Sequence, residues 1–208
     1  MTSIFVTGIS TDVGKTVASA IIVEALNSDY WKPIQAGDLD FGDQQRVEQL
    51  ISNQSSTFYP NAYGLKTPMS PHAAAAIDGI QIESKSIIRP QSSNHLVIEG
   101  AGGLLVPISD TETILDLVLP EDKIIVVSRH YLGSINHSLL TLKLLNEKGF
   151  KPGVIFSGEE HPTTESIIEN MSDCTIIGRI DQEPYFDTDV ISDYAESFKT
   201  NLNTFVNS

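Results

Sequence analysis

The chain has 208 residues, 40% hydrophobic and 19% charged, proportions that suit a globular protein and exclude disorder. Its 13 basic and 27 acidic residues give a net charge of −14, an anionic field that repels phosphate backbones and anionic lipid and so argues against nucleic-acid or membrane-surface partners. Cys174 stands alone, which rules out a disulfide within the chain and a cysteine-based zinc cluster and leaves it as a small core residue. The length suits one α/β domain over residues 1–208.

The first eight residues, MTSIFVTG, enter a strand pattern over 3–7 at once, without the charged-then-apolar layout of a signal peptide. No later run approaches the ~20 apolar residues of a membrane span, so the expected location is the cytoplasm. This strand runs into GISTDVGKT, from Gly8 to Thr16, and then into a helix over 15–26. A glycine-rich turn lets backbone N–H groups point into a concavity for anionic oxygens, and the helix start adds its partial positive charge. Lys15 can reach the β- and γ-phosphates of a nucleotide, and the Thr16 hydroxyl can ligate Mg²⁺. Five residues, Ile9 to Val13, separate the first glycine from Gly14-Lys15, one more than in the usual phosphate loop. Asp12 brings negative charge close to phosphate, which is easier to explain if it faces a cationic part of the substrate or the ribose.

A second strand over 30–32 ends in Lys32, before Pro33. Lys32 either neutralises charge on transferring phosphoryl oxygens or is an ordinary surface lysine. Asp43 opens a helix over 43–51 and reads locally as a cap or dipole partner. The polar stretch 52–71, with Pro60 and Pro68, reads as one long loop, functional or a plain surface excursion, before a helix over 72–78. The apolar strand 95–99 ends in Glu99 and meets Gly100, Gly102 and Gly103. An acid at a strand tip beside a phosphate loop suits magnesium, which takes hard oxygen ligands, and the glycines allow close backbone approach to a substrate.

Further strands are expected at 123–128, 153–156 and 175–180, with helices at 134–148, 163–171 and 189–205. Gly133, Ser134 and Asn136 sit at the start of the 134–148 helix, where Ser134 is either a plain N-cap or part of a carboxylate-binding spot. The five histidines show no helical metal-binding pair and read as structural. Strands apolar on both faces, alternating with helices, predict an open, doubly wound, mostly parallel sheet of the P-loop nucleoside triphosphate hydrolase type. Ligands of such sheets sit beyond the carboxyl ends of the strands.

The ordered set GISTDVGKT, WKPIQAG, MSPH, VIEGAGGLLVPIS and LGSINHSLLT resembles the dethiobiotin synthetase family, from the N-terminus to about residue 160. The five-residue gap before Gly-Lys-Thr is also that family's form of the loop. The resemblance implies an ATP- and Mg²⁺-dependent ligase of biotin biosynthesis that carboxylates 7,8-diaminononanoate with CO₂ and closes the ureido ring. It implies that Asp12, Val13, Gly14, Lys15, Thr16, Val17, Glu99, Gly102 and Ser157 hold the nucleotide, and that Thr16, Asp43 and Glu99 hold Mg²⁺. Lys15, Lys32 and Thr11 would serve the chemistry; Thr11, Lys32, Ala36, Gly100 and Gly102 would line the diamine. Gly133, Ser134, Ile135 and Asn136 would receive its far carboxylate from a partner subunit, which makes a homodimer necessary.

Two positions depart from the family's pattern. Ala36 stands where many relatives carry a hydroxyl, and Ser157 stands where an asparagine commonly reads the adenine edge, so weak discrimination between ATP and GTP is expected. Two other readings compete. A cobyrinate-type amidase would bring a glutamine-hydrolysing domain with a nucleophilic cysteine, but the chain stops at 208 residues and Cys174 lies in no such motif. A partitioning-type ATPase switch would want a basic surface or tail, and the segment DYAESFKTNLNTFVNS has a single lysine.

Overall fold

The computed structural model describes residues 1–208. Six strands alternate with helices along the chain: β1 (Ser3–Gly8), α1 (Lys15–Leu26), β2 (Asp29–Trp31), then after three short strands β6 (Leu96–Glu99), β7 (Lys123–Arg129), α4 (Ser134–Glu147), β8 (Gly153–Ser157), α5 (Pro162–Asn170), β9 (Thr175–Ile180) and α6 (Thr188–Val206). The remaining elements are β3 (Ile34–Ala36), α2 (Asp43–Leu50), β4 (Phe58–Tyr59), β5 (Tyr63–Leu65) and α3 (Pro71–Asp78). The main sheet has the order β4-β2-β6-β1-β7-β8-β9, and all its pairings are parallel. This is the doubly wound α/β fold expected from the sequence. No helix is long and apolar enough to cross a membrane.

The side-chain period of two explains why the strands are apolar on both faces. Ile4, Val6, Ile125 and Val127 join the core under α1 and α6, whereas Phe5, Ile124 and Val126 join the core on the opposite face. At β9 the helix layer comes so close that a Cβ on Gly178 would lie 2.3 Å from the Phe198 ring, so only glycine fits there.

The stretch 52–71 is not one loop. It contains β4, which pairs with the edge of β2, and β5, which pairs with β3 in a second, two-stranded sheet. Strands of two and three residues carry too little period-two pattern to read locally; they exist because a neighbouring edge offers unpaired backbone groups. β3 escaped the sequence reading for the same reason. The first helical end also matters for the site. Gly14 caps α1 at φ +91°, a left-handed conformation that L side chains rarely adopt. Asp12, two residues earlier, is left-handed too (φ +54°), and its side chain is exposed.

Candidate active site

β1 and β6 are adjacent parallel strands, with Val6 in register with Glu99. Their carboxyl ends therefore bring the phosphate loop and the glycine turn to one edge, where Gly8 N–H donates to Gly102 O (3.4 Å). β2 lies on the other side of β6 and pairs Trp31 with Ile98, so Lys32 follows opposite Glu99; the strand expected to end at Lys32 ends one residue earlier, at Trp31. α2 supplies Asp43 as its first residue, with Gly42 in the cap position. Four distant segments thus meet at one corner.

The contacts there are dense. Thr16 Oγ1 lies 3.0 Å from Asp43 Oδ1 and 3.2 Å from Glu99 Oε1. Lys32 Nζ donates to Glu99 Oε1 (3.1 Å) and to Asp43 Oδ2. Glu99 and Lys32 are buried, at 1% and 6% exposure, so the surface-lysine reading of Lys32 is set aside. Burial alone would lower the Lys32 ammonium, but the Glu99 and Asp43 carboxylates outweigh it and hold it above its ordinary value. Burial would raise the Asp43 carboxyl; the Lys32 charge and hydrogen bonds from Lys32 and Thr16 hold it below the ordinary range. Lys15 is also buried, with Nζ 3.4 Å from Ser10 O. Burial pulls its ammonium below the ordinary value; Glu99 opposes that shift and Lys32 adds to it.

Two oxygen-bearing acids and a hydroxyl within hydrogen-bond distance form a hard donor set of the kind magnesium takes. No group of three or more His, Cys, Asp and Glu side chains comes together to hold a metal ion, so the set here is two acids and the Thr16 hydroxyl.

The other expected residues take no part in these four contacts. Thr11, Gly102 and Gly103 line a pocket of about 420 Å³ together with Leu104, Val106 and Leu140. Gly100 donates its N–H to Val6 O (2.9 Å), and Ala36 ends β3. Val13, Gly14, Val17 and Ser157 line a second pocket beside Arg129 and Gln182. Ser157 does not turn its hydroxyl towards that space: Oγ donates to Val13 O (2.8 Å) and ties β8 to the phosphate loop. Gly133, Ser134, Ile135 and Asn136 do not line the pocket that holds Thr11. The plain N-cap reading of Ser134 is corrected. Gly133 occupies the cap at φ +102°, and Ser134 is buried inside the first turn, where its carbonyl accepts from Ser138 Oγ (2.7 Å).

Three contributors were missed in the sequence. Tyr30 Oη donates to Glu99 Oε2 (3.0 Å) from a fully buried ring. Gln35 Oε1 accepts from Asp43 N–H (3.3 Å) while its Nε2 donates to Gly37 O (3.0 Å), which ties the start of α2 to β3. Arg129 donates to Asp12 O (3.2 Å) from the end of β7. No local motif marks these residues. The alternation along β2 that puts Tyr30 on the Lys32 side is the one signal that was available.

A phosphate loop opening α1, facing a carboxylate at the tip of an adjacent parallel strand, defines the P-loop nucleoside triphosphate hydrolase-like class. Solved structures agree on the fold: the MinC:MinD cell division protein complex of Aquifex aeolicus (TM-score 0.57, 16% identity, covering 100% of this chain and 96% of that one). A ParA family ATPase of Chlorobium tepidum is similar to the same degree (TM-score 0.55, 15% identity, 100% and 94%). A family model described as "AAA domain" matches residues 2–189. Among curated relatives, ATP-dependent dethiobiotin synthetase BioD of Christiangramia forsetii is 57% identical over 96% of this chain and 97% of its own length. The namesake from Cytophaga hutchinsonii is 41% identical over 94% and 96%. The chain belongs to the dethiobiotin synthetase family.

Proposed function

We propose that residues 1–208 form one synthetase domain that uses ATP to carboxylate 7,8-diaminononanoate and close its ureido ring, giving dethiobiotin, ADP and phosphate. The observation that carries this reading is the convergence of Thr16, Lys32, Asp43 and Glu99 beside the phosphate loop. One substrate amine adds to CO₂ and loses a proton, forming a carbamate. A carbamate oxygen attacks the γ-phosphorus, the bond to the β-phosphate oxygen breaks and ADP leaves. The second amine attacks the carbon of the mixed carbamic–phosphoric anhydride, loses its proton and expels phosphate. ATP thereby turns oxide, a poor leaving group, into phosphate.

The protein's part is positioning and charge neutralisation, which dominate phosphoryl transfer. The backbone N–H groups of the loop and the α1 start grip the phosphates. Lys15 and Lys32, both buried, neutralise charge on the transferring group from two sides. Thr16, Asp43 and Glu99 would hold Mg²⁺, which when bound neutralises charge on the β- and γ-phosphate oxygens. Thr11 hydrogen-bonds the carbamate, and the mixed polar and apolar pocket beyond it suits an aliphatic chain bearing two amines. With Ala36 in place of a hydroxyl, one hydrogen bond to the carbamate or phosphate falls to water.

The far carboxylate of the substrate goes to the start of α4 in a second copy. What supports a homodimer is an apolar surface around that helix: Leu105, Leu132 and Leu140 are exposed, and Ile135 is partly so. The reaction belongs in the cytoplasm, where ATP and Mg²⁺ are supplied. Phosphate release tests the reading. It should require diaminononanoate, bicarbonate and Mg²⁺ together; release without the diamine, or none with all three, would end it.

A further inference from the structure

Glu99 is held by different partners at its two oxygens. Oε1 takes Lys32 Nζ at 3.1 Å and lies 3.2 Å from Thr16 Oγ1, whereas Oε2 takes the Tyr30 hydroxyl at 3.0 Å. One strand delivers both clamps. Tyr30 and Lys32 are two residues apart, so they project to the same side of β2, and the pairing of Tyr30 with Val97 and Trp31 with Ile98 sets them astride the end of β6. The phenol ring is fully buried in the core beneath α1 and packs against Phe58 at a centroid distance of 5.8 Å. Its hydroxyl cannot swing to solvent, so Oε2 stays occupied on the core side while Oε1 faces the corner shared with Thr16 and Asp43.

We propose that Tyr30 is a positioning residue: by holding Oε2 it restricts Glu99 to presenting Oε1 alone to the metal–nucleotide group. A carboxylate with one oxygen engaged binds a small octahedral ion through the other and leaves room for waters and phosphate oxygens. This inference rests on the magnesium role given to Glu99 above.

Tyr30→Phe removes the hydroxyl and keeps the ring. The dissociation constant for Mn²⁺, measured by electron paramagnetic resonance in the presence of ADP, should rise about tenfold. The half-saturating Mg²⁺ for phosphate release should rise with it, while KM for diaminononanoate stays unchanged. In a Glu99→Gln background Tyr30→Phe should add nothing. Phe58→Leu loosens the ring packing without touching the hydroxyl, so it should lower thermal stability and leave Mn²⁺ binding alone. Wild-type Mn²⁺ affinity in Tyr30→Phe, or an equal loss in Phe58→Leu, overturns the proposal. Should Tyr30→Phe not fold, the chain labelled with 3-fluorotyrosine decides. One fluorine resonance should shift on adding Mg²⁺ and ADP to the wild type and not to Glu99→Gln, and the same spectra from both proteins would sink the idea. The Mn²⁺ and fluorine readouts need no diamine. Absence of diamine-dependent turnover in the wild type therefore defeats the ligase reading without deciding the role of Tyr30.

Discussion

The corner at the end of β6 and the start of α4 are both assigned to the same site, yet they are built in opposite ways. At the corner, Lys32 and Glu99 are buried, and each functional atom already has a partner within the chain. At the start of α4, Leu132 is fully exposed and Ile135 partly exposed, and residues 133–136 do not line the pocket that holds Thr11, whereas His137, Leu140, Thr141 and Leu144 further along the helix do. In the proposed reading, the nucleotide half of the site is complete in one chain, whereas the carboxylate half would be completed by another surface. Substitutions should separate the halves: those at the corner act within one chain, and those at α4 act through assembly.

The largest effect is expected for Lys15→Ala. Removing a buried cation from the phosphate loop should lower kcat/KM for ATP about a thousandfold or more. Steady-state phosphate release measures it, and a loss of less than tenfold breaks the assignment of the loop. Lys32→Ala comes next. It removes the ammonium that lies between Asp43 and Glu99, so kcat should fall by about a hundredfold while the affinity for ATP changes little. It also leaves Glu99, at 1% exposure, facing Asp43 without its cation, which should lower thermal stability; loss of one partner of a buried pair costs about 3–5 kcal/mol. Normal turnover in this variant would remove Lys32 from the chemistry.

Assembly is tested by Leu132→Asp. A fully exposed side chain can be changed at little cost to the monomer, so its melting temperature should hold within a few degrees. If the α4 surface is covered by a second copy, the same change should shift the protein to monomers in light scattering. It should also reduce turnover at least tenfold at low protein concentration. A Leu132→Asp protein that becomes monomeric yet keeps its activity would mean that the carboxylate half is also complete in one chain, and one that stays dimeric would remove Leu132 from the interface.

These two halves were not equally legible in the sequence. The phosphate loop, Glu99 and Lys32 each sit in a local pattern of strand, glycine or proline, and that pattern survives reading one segment at a time. Asp43 reads locally as a helix-start residue, and its link to Thr16 exists only because α2 folds back over α1. Tyr30 and Gln35 carry no motif. Their contacts depend on the register of β2 against β6 and on β3, a three-residue strand stabilised by its pairing with β5. Long, apolar strands set the sheet and were readable; short edge strands take their identity from a neighbour, so the stretch 52–71 was read as loop.

Base selectivity sharpens the corner at its outer rim. The Ser157 hydroxyl is committed to Val13 O, so it offers the base no paired contact of the kind an asparagine makes. Loss of one such contact is worth about 1–3 kcal/mol. The ratio of kcat/KM for ATP over GTP should therefore stay below about a thousandfold, and a larger ratio would show that Gln182, Arg129 or backbone groups in the same pocket read the base instead.

The smallest effect lies at the opposite end of β2, far from the chemistry. Asp29 is buried, and its carboxylate accepts from Thr57 N–H (2.8 Å), Ser92 Oγ (2.6 Å), Asn94 Nδ2 (3.1 Å) and Tyr59 Oη (3.2 Å). Burial would raise the carboxyl; hydrogen bonds from Ser92, Thr57, Asn94 and Tyr59 outweigh it and hold it below the ordinary range. A carboxyl depressed in the folded state contributes stability above its unfolded value, about 3.9, and that contribution is lost as the pH falls through the folded value. Asp29→Asn should therefore melt below the wild type at pH 7, by about 1–3 kcal/mol, and the gap should close as the pH is taken below about 4. Activity per folded molecule should not change, because these bonds hold β4 and the 92–94 turn to β2 and touch neither Lys32 nor Glu99. A melting gap that is constant from pH 7 to pH 3 would mean that the side-chain shape, and not its charge, secures that end of the strand.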